Sequence, residues 1–296
     1  MNRVSTGYQF QKLQSQVHRA GLTYFEAQKR VSTGKRINDI SDDPNGFSQV
    51  VSMRSVKSGL AQYSTNLDRA KTWFTLSESA MNETSTLLNR ANALAISGAN
   101  ATVGQGERTA MAVEVTSIRD RLVQLSNTRN ANGDYLFAGT ATDTKPFTVS
   151  GNTIVYAGNN GQVKVEAAPG ELMTLSQSSV PTLFQETYDK LTGMINALNS
   201  NDGSYLSNTT LTEVQESIQQ FNQARGELGT KVRTLELYKN DHARRIEELT
   251  SNVSDIEDVD LAQAITDYQS AQTAYQAALQ MTSQGSRLSL MDFIQG

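Results

Sequence analysis

The chain has 296 residues, no cysteine, 38% hydrophobic residues and a formal net charge of −4. The charge argues against a nucleic-acid partner, whose phosphates need a basic face, and the missing cysteine removes disulfides, thiolate nucleophiles and cysteine metal sites. The low apolar content predicts thin cores and an elongated shape, and no run of 18 apolar residues is present to span a membrane.

The start, MNRVSTGYQFQKLQSQ, lacks the apolar core of a cleaved secretory signal. Phe10, Leu13, Val17, Ala20, Tyr24, Ala27 and Val31 form one narrow stripe at helical spacing. A lone helix with so thin a seam is marginal in water, so this end needs a partner. Residues 31–47, VSTGKRINDISDDPNGF, then interrupt the helical pattern with two glycines, a proline, a Lys-Arg pair and three aspartates. Asp39, Asp42 and Asp43 could offer carboxylates to Mg²⁺ or Ca²⁺. Their spacing is irregular, however, and Asp-Asp-Pro-Asn-Gly is a turn and helix N-cap sequence whose acids suit the helix dipole.

Downstream, Met53, Val56, Leu60, Tyr63, Leu67, Ala70, Phe74, Ser77, Met81, Thr84, Leu88, Ala91 and Ala95 alternate steps of three and four. This predicts one long helix of roughly 65 Å, ended by Ser97, Gly98 and Asn100. Met111, Val115, Ile118, Leu122 and Leu125 repeat the theme. The middle reads as β: Tyr135–Ala138, Phe147–Val149, Thr153–Tyr156 and Val163–Val165 are strand-like. Ser150–Asn152, Gly158–Gly161 and Ala168–Gly170 read as turns between them. Helical spacing resumes at Phe184, Tyr188, Leu191, Ile195 and Leu198. It continues from Val214 through Ile218, Phe221, Arg225, Leu228, Val232, Leu235, Lys239, His242, Ile246, Leu249 and Val253 to Ile256. The C-terminal stripe is Leu261, Ile265, Tyr268, Tyr275 and Leu279, with Ala271, Ala274, Ala277 and Ala278 beside it.

Taken together, the pattern predicts a mainly α protein: an elongated helical bundle or coiled-coil rod with paired terminal helices and a small central β insertion. The expected divisions are 1–33 with 256–296 as a terminal coiled coil, 34–134 with 182–255 as a helical rod, and 135–181 as a β domain facing outward. The seam of the terminal pair is expected at Leu13, Val17, Tyr24, Ile265, Tyr268, Tyr275 and Leu279.

Candidates for chemistry are few. His18 and His242, the two histidines, lack neighbouring ligands at metal-site spacing. Asp241/Arg245 and Arg244/Glu248 read as surface pairs on a solvated helix. Gly158–Gly161 is followed by no Lys-Ser/Thr and opens no helix, so it is no phosphate loop. From the residues alone a structural or assembly protein leads, a cytoplasmic coiled-coil scaffold is second and an enzyme third; no cofactor or metal is expected.

Ser32-Thr-Gly-Lys-Arg-Ile-Asn38, followed by Asp42-Asp43 and Gly46, resembles the N-terminal signature of the flagellins and their relatives. Ser254-Asp-Ile-Glu-Asp-Val-Asp260-Leu-Ala resembles the matching C-terminal signature. Within that superfamily, several features are similar to the hook-filament junction family (flagellar hook-associated protein type 3). They are Val4-Ser5-Thr6 with Tyr8, Thr33, Asp42-Asp43-Pro44, Gly133-Asp-Tyr-Leu-Phe-Ala-Gly139 and Ser289-Leu-Met-Asp-Phe-Ile294. Asn38 and Gly46 look more like flagellin, and Ile40 stands where the junction family often carries proline, so flagellin itself is the runner-up.

The resemblance implies a non-enzymatic, extracellular subunit of the bacterial flagellum at the hook-filament junction, exported without a cleaved signal peptide. Its implied partners are further copies of itself, hook-associated protein type 1, flagellin and a flagellar export chaperone, with no nucleic acid and no membrane insertion. The terminal helices would line the tube. Val31–Phe47 would be the joint between the terminal helix and the rod. There Gly34 and Gly46 would permit the turn, and Asp42 and Asp43 would cap the long helix. Lys35 and Arg36 would meet neighbouring subunits or the acidic stretch containing Asp255, Asp258 and Asp260.

Overall fold

The structure, a computed structural model, describes residues 6–295. Val4 and Ser5, and the side chains of Phe10 and of residues 289–294, lie outside what it describes. The element order is α1 (Thr6–Thr33), α2 (Pro44–Ala99), α3 (Gln105–Ser126), β1 (Phe147–Ser150), β2 (Thr153–Tyr156), β3 (Lys164–Ala168), β4 (Glu171–Thr174) and α4 (Val180–Asn199). A single turn α5 (Gly203–Tyr205) and a π turn (Leu206–Thr210) then lead into α6 (Leu211–Glu257) and α7 (Leu261–Gln295). The fold is mainly α with a small β insertion. Its residues fall into two compact units, Leu60–Ala243 on one hand and the residues up to Gly59 with those from Arg244 onward on the other. Both boundaries of these units fall inside helices, α2 and α6.

In the Leu60–Ala243 unit the seam of α2 is buried from Leu60 through Leu67, Ala70, Phe74, Ser77, Met81, Thr84, Leu88 and Ala91 to Ala95. Thr84 leaves no unmatched hydroxyl in an apolar row, because its hydroxyl donates to the Ala80 carbonyl at 2.8 Å. On α6 the buried members are Val214, Phe221, Leu228, Leu235 and His242. His242 lies between Tyr63 and Tyr238, with ring centroids 6.1 and 6.3 Å away. Two seam positions of α6 are cationic, and both reach α2 by ion pairs: Arg225 with Glu78 at 2.7 Å, and Lys239 with Asp68. Polar seam positions of this kind fix helix register, because a slip would leave a charge against an apolar wall.

Phe184 of α4 is the centre of the core. Its ring lies 5.2 Å from Phe137, 5.9 Å from Phe147 and 5.2 Å from Phe221. The β segment therefore shares the helical core. Each fully buried aromatic contributes about 2–3 kcal/mol by leaving water, more than a lone two-stranded hairpin can supply for itself.

The insert consists of two separate antiparallel hairpins, β1–β2 and β3–β4. Phe147 faces Tyr156 in the first, and Lys164 faces Thr174 in the second, with a bulge at Glu166/Ala168. The middle differs from its sequence reading in three places. Tyr135–Ala138 is a buried turn, not a strand, apart from one bridge between Tyr135 and Arg129. All four of its residues are buried, as the alternating faces of a half-exposed strand would not allow. Gly158–Gly161 does not turn a hairpin, because β2 and β3 do not pair. Its Asn159 side-chain oxygen instead accepts from the Thr140 and Gly161 amides, each at 2.9 Å. Finally, β4 follows Pro169-Gly170 where no strand was expected.

At one end of this unit Arg108, buried, closes the chain. Its guanidinium donates to the carbonyls of Gly98 (2.8 Å), Asn100 (3.1 Å) and Asn201 (3.4 Å). It thereby serves the exposed carbonyl end of α2 and the turn after α4 at once.

Candidate functional site

The candidate site is the joint of the other unit, where the chain leaves α1, enters α2 and later returns from α6 into α7. Helix α1 stops at Gly34, whose φ of +70° is left-handed and whose amide donates to the Arg30 carbonyl at 2.9 Å. The chain then runs against the α6–α7 connection. The Arg36 and Ile37 amides donate to the Glu257 carbonyl at 2.6 and 3.3 Å, and the Val259 amide donates to the Gly34 carbonyl at 3.0 Å. Lys35 and Asp258 form an antiparallel bridge. Ile37 is sealed beneath this crossing at 2% exposure.

The two aspartates divide the work. Asp43 is the N-cap of α2, with Oδ1 accepting from the Gly46 amide at 3.0 Å and Pro44 at the first helical position. Asp42 does not cap α2. Its Oδ2 accepts from the Asn38 and Asp39 amides, both at 2.9 Å, and so closes the preceding turn. These backbone donors hold both carboxyls below the ordinary carboxylate value, the Asp39 amide leading for Asp42 and the Gly46 amide for Asp43. Gly46 does not make a turn either: it lies within the first turn of α2. Its role is space, since a Cβ there would stand 2.6 Å from Asp43 Oδ2 and 2.7 Å from Ile37 Cδ1.

Charge converges on Glu257, whose side chain is 8% exposed. Lys35 Nζ lies 3.0 Å from one carboxylate oxygen and Arg54 Nη2 of α2 lies 2.5 Å from the other. Arg36 donates to the Ile256 carbonyl at 2.7 Å and pairs with Asp43 at 3.4 Å. Among the acids expected to meet Lys35 and Arg36, Asp255 is exposed, Asp258 accepts from the Ser254 hydroxyl, and Asp260 caps α7 by accepting from the Ala262 and Gln263 amides at 2.9 and 3.3 Å. Glu257 falls within the acidic stretch 255–260 expected to meet Lys35 and Arg36, though it was not singled out there, and Arg54 was not expected. Glu257 adjoins Ile256, the last residue of the α6 seam, and that position at the helix end was the available signal.

Helices α1 and α7 pack antiparallel beyond the joint. Tyr24 stacks on Tyr268 and Tyr275, with centroids 5.5 and 5.7 Å away, and its hydroxyl lies 3.4 Å from that of Tyr268. That hydrogen bond, and next burial, raise the Tyr24 phenol above its ordinary value. Gly21 lets the Tyr275 ring approach. Leu13 and Val17 are half-buried. Ile265 and Leu279, expected on the seam, are each 45% exposed instead. The packed row of α7 is Ala264, Tyr268, Ala271 and Tyr275, in which the two tyrosines were expected on the seam and Ala271 beside it. A groove of about 620 Å³ runs beside the pair, lined by Val17, His18, Leu22, Phe25 and Tyr275 among others. Leu22, Phe25, Leu261 and Met281 are at least half exposed.

Among the described residues no group of three or more His, Cys, Asp or Glu could hold a metal ion, and no helix is long and apolar enough to cross a membrane. The arrangement ties the α1–α2 connection to the α6–α7 connection through backbone hydrogen bonds and one doubly paired carboxylate.

Comparison with known proteins bears on this geometry. Residues 4–142 match the family described as bacterial flagellin N-terminal helical region, and residues 211–294 that described as bacterial flagellin C-terminal helical region. The two sides of the joint lie one in each. The chain is 26% identical over 321 residues to flagellar hook-associated protein 3 of Escherichia coli, covering 97% of this chain and 98% of that protein. It is 27% identical over 271 residues to the flagellar filament 33 kDa core protein of Treponema phagedenis, covering 90% and 91%. The crystal structure of flagellar hook-associated protein-3 from Legionella pneumophila matches with a TM-score of 0.62 at 13% identity, over 69% of this chain and 98% of that one. At that identity the likeness is one of fold.

Proposed function

The chain belongs to the bacterial flagellin family, and from that premise we propose that it is a structural subunit of the flagellum, placed at the junction between hook and filament. The observation that carries this reading is the end-to-end match to hook-associated protein 3, which leaves only 2% of that protein uncovered. The match to a filament core protein, which covers less of both chains, favours flagellin as the second reading.

The physical reading supports assembly. Helices α1 and α7 leave Leu22, Phe25, Leu261 and Met281 facing outward, and apolar rows of that kind are covered by neighbours in an assembled state. Contacts between unlike surfaces, repeated head to tail, build rings or helical tubes rather than closed pairs. The joint at Gly34, Lys35, Arg36, Asp42, Asp43 and Asp255–Asp260 would then set the angle at which the terminal pair enters the tube. Further copies of the chain, hook-associated protein type 1 on the hook side and flagellin on the filament side would be the neighbours. A flagellar export chaperone would mask α7 before assembly.

Immunogold microscopy of intact flagella with antibody to residues 141–181 tests the reading. A band where hook meets filament is the expected result. Label along the whole filament transfers the protein to the flagellin reading, and its absence from flagella with the epitope accessible removes both.

A further inference from the structure

The sequence contains three Asn-Gly pairs, Asn45-Gly46, Asn132-Gly133 and Asn160-Gly161. Such pairs share one spontaneous reaction. The glycine amide nitrogen, once deprotonated, attacks the asparagine Cγ; an N–C bond forms, ammonia leaves, and the resulting succinimide takes up water to give aspartate or isoaspartate. Glycine favours the attack because no Cβ obstructs the approach. The rate at each pair then depends on how firmly the attacking N–H is held and how open its surroundings are.

The three sites differ sharply in both respects. The Gly46 amide donates to the Asp43 carboxylate at 3.0 Å, a charge-assisted bond that opposes its deprotonation. The residue is also buried in the first turn of α2, with Asp43 and Ile37 atoms inside 3 Å of where a Cβ would be. The Gly161 amide donates to Asn159 Oδ1 at 2.9 Å, the same oxygen that binds the Thr140 amide and hydroxyl, and Thr140 atoms lie 2.5 and 2.7 Å from where a Gly161 Cβ would be. Gly133 is the exception. Its amide donates to a plain carbonyl, that of Asn130, at 3.1 Å; nothing lies within 4 Å of its Cβ position; and both it and Asn132 are exposed. We propose that Asn132 is the site at which the folded protein converts spontaneously to aspartate or isoaspartate, with Asn45 and Asn160 protected by the fold.

The product has a structural consequence. Asn130 Oδ1 accepts from the Asn132 and Asp134 amides, both at 2.9 Å, and the Asn130 amide donates to the Asp134 carbonyl at 2.9 Å. Isoaspartate at 132 inserts an extra main-chain carbon into this tight turn, and either product adds a negative charge beside Asp134. The turn lines the same groove as Trp73, the single tryptophan of the chain, so its opening has an optical reporter.

The experiment is to hold the folded protein in mildly alkaline buffer and follow all three peptides by mass spectrometry, with enzymatic methylation to detect isoaspartate. A parallel sample is held in denaturant. The folded sample should convert at Asn132 severalfold faster than at Asn45 or Asn160, and the three rates should converge on denaturation. Conversion at Asn45 or Asn160 first, or equal rates in the folded state, overturns the proposal. So does an Asn132 lead that persists in denaturant, which would place the cause in local sequence rather than in the fold. Asn132→Gln should leave the folded protein without an early acidic species and its Trp73 emission constant through the incubation. An unchanged acidic fraction in that variant likewise overturns it.

Discussion

The Lys35 ammonium stands 3.0 Å from the carboxylate of Glu257, and Glu257 is thereby the point at which the outgoing and returning halves of the chain are tied. Arg54 completes the arrangement from α2. The carboxylate is nearly buried and meets both cations, so neutralising it removes two ion pairs at once, whereas losing either cation removes one. Glu257→Gln should weaken the joint by about 1–3 kcal/mol. Hydrogen exchange should accelerate at the Arg36, Ile37 and Val259 amides, while exchange in α3 and α4 stays unchanged. Lys35→Glu with Arg36→Glu should impair assembly more than monomer stability; normal filament attachment in the double variant argues against an interface role.

Gly46 stands near the start of a helix, where propensity alone favours alanine by roughly 1 kcal/mol. The crowding by Asp43 and Ile37 reverses this. Gly46→Ala should destabilise the joint by about 1–3 kcal/mol through overpacking, read as a lower thermal midpoint. Gly34→Ala has open space around it, and its cost of about 1–2 kcal/mol comes from the left-handed backbone alone. Gly34→Asn should therefore cost less, and no such relief exists at Gly46.

The Tyr24 phenol is raised above its ordinary value of 10.0 by the hydrogen bond to Tyr268. A raised value means that the unfolded chain ionises first. The stabilisation is then complete below pH 10, and it is lost as pH climbs through the folded value. Helix content of the α1–α7 pair should fall in alkaline solution in step with tyrosinate absorbance. Tyr24→Phe should remove that contribution. A pH profile identical in the two proteins would dissociate the stacking from the pairing of the helices.

Arg108 serves three carbonyls from a buried position. Arg108→Met leaves those acceptors unmatched and should cost the Leu60–Ala243 unit about 2–4 kcal/mol. Urea titration followed by Trp73 fluorescence measures it. Arg108→Lys should recover little, since a single ammonium cannot reproduce the planar fork.

The sequence carried the helices because their signal is local. A row of apolar residues at steps of three and four needs no knowledge of what covers it, and the α2 seam is buried from Leu60 to Ala95. Strand reading failed at Tyr135–Ala138 because four consecutive buried residues also suit a turn held inside a core, and only Thr128 and Thr142, which accept its amide hydrogens, show which is present.

By itself, then, the sequence determined the mainly α class, the helices and the resemblance that led to the family. The tertiary structure decided which of several acids meets Lys35, which aspartate caps α2, why Gly46 must lack a side chain, and that alanines rather than Ile265 and Leu279 face α1. Each of these depends on where two distant backbone segments cross. Charge and size along a chain are periodic and legible, but the partner of a carboxylate is chosen by the path of the chain around it, which no local pattern encodes.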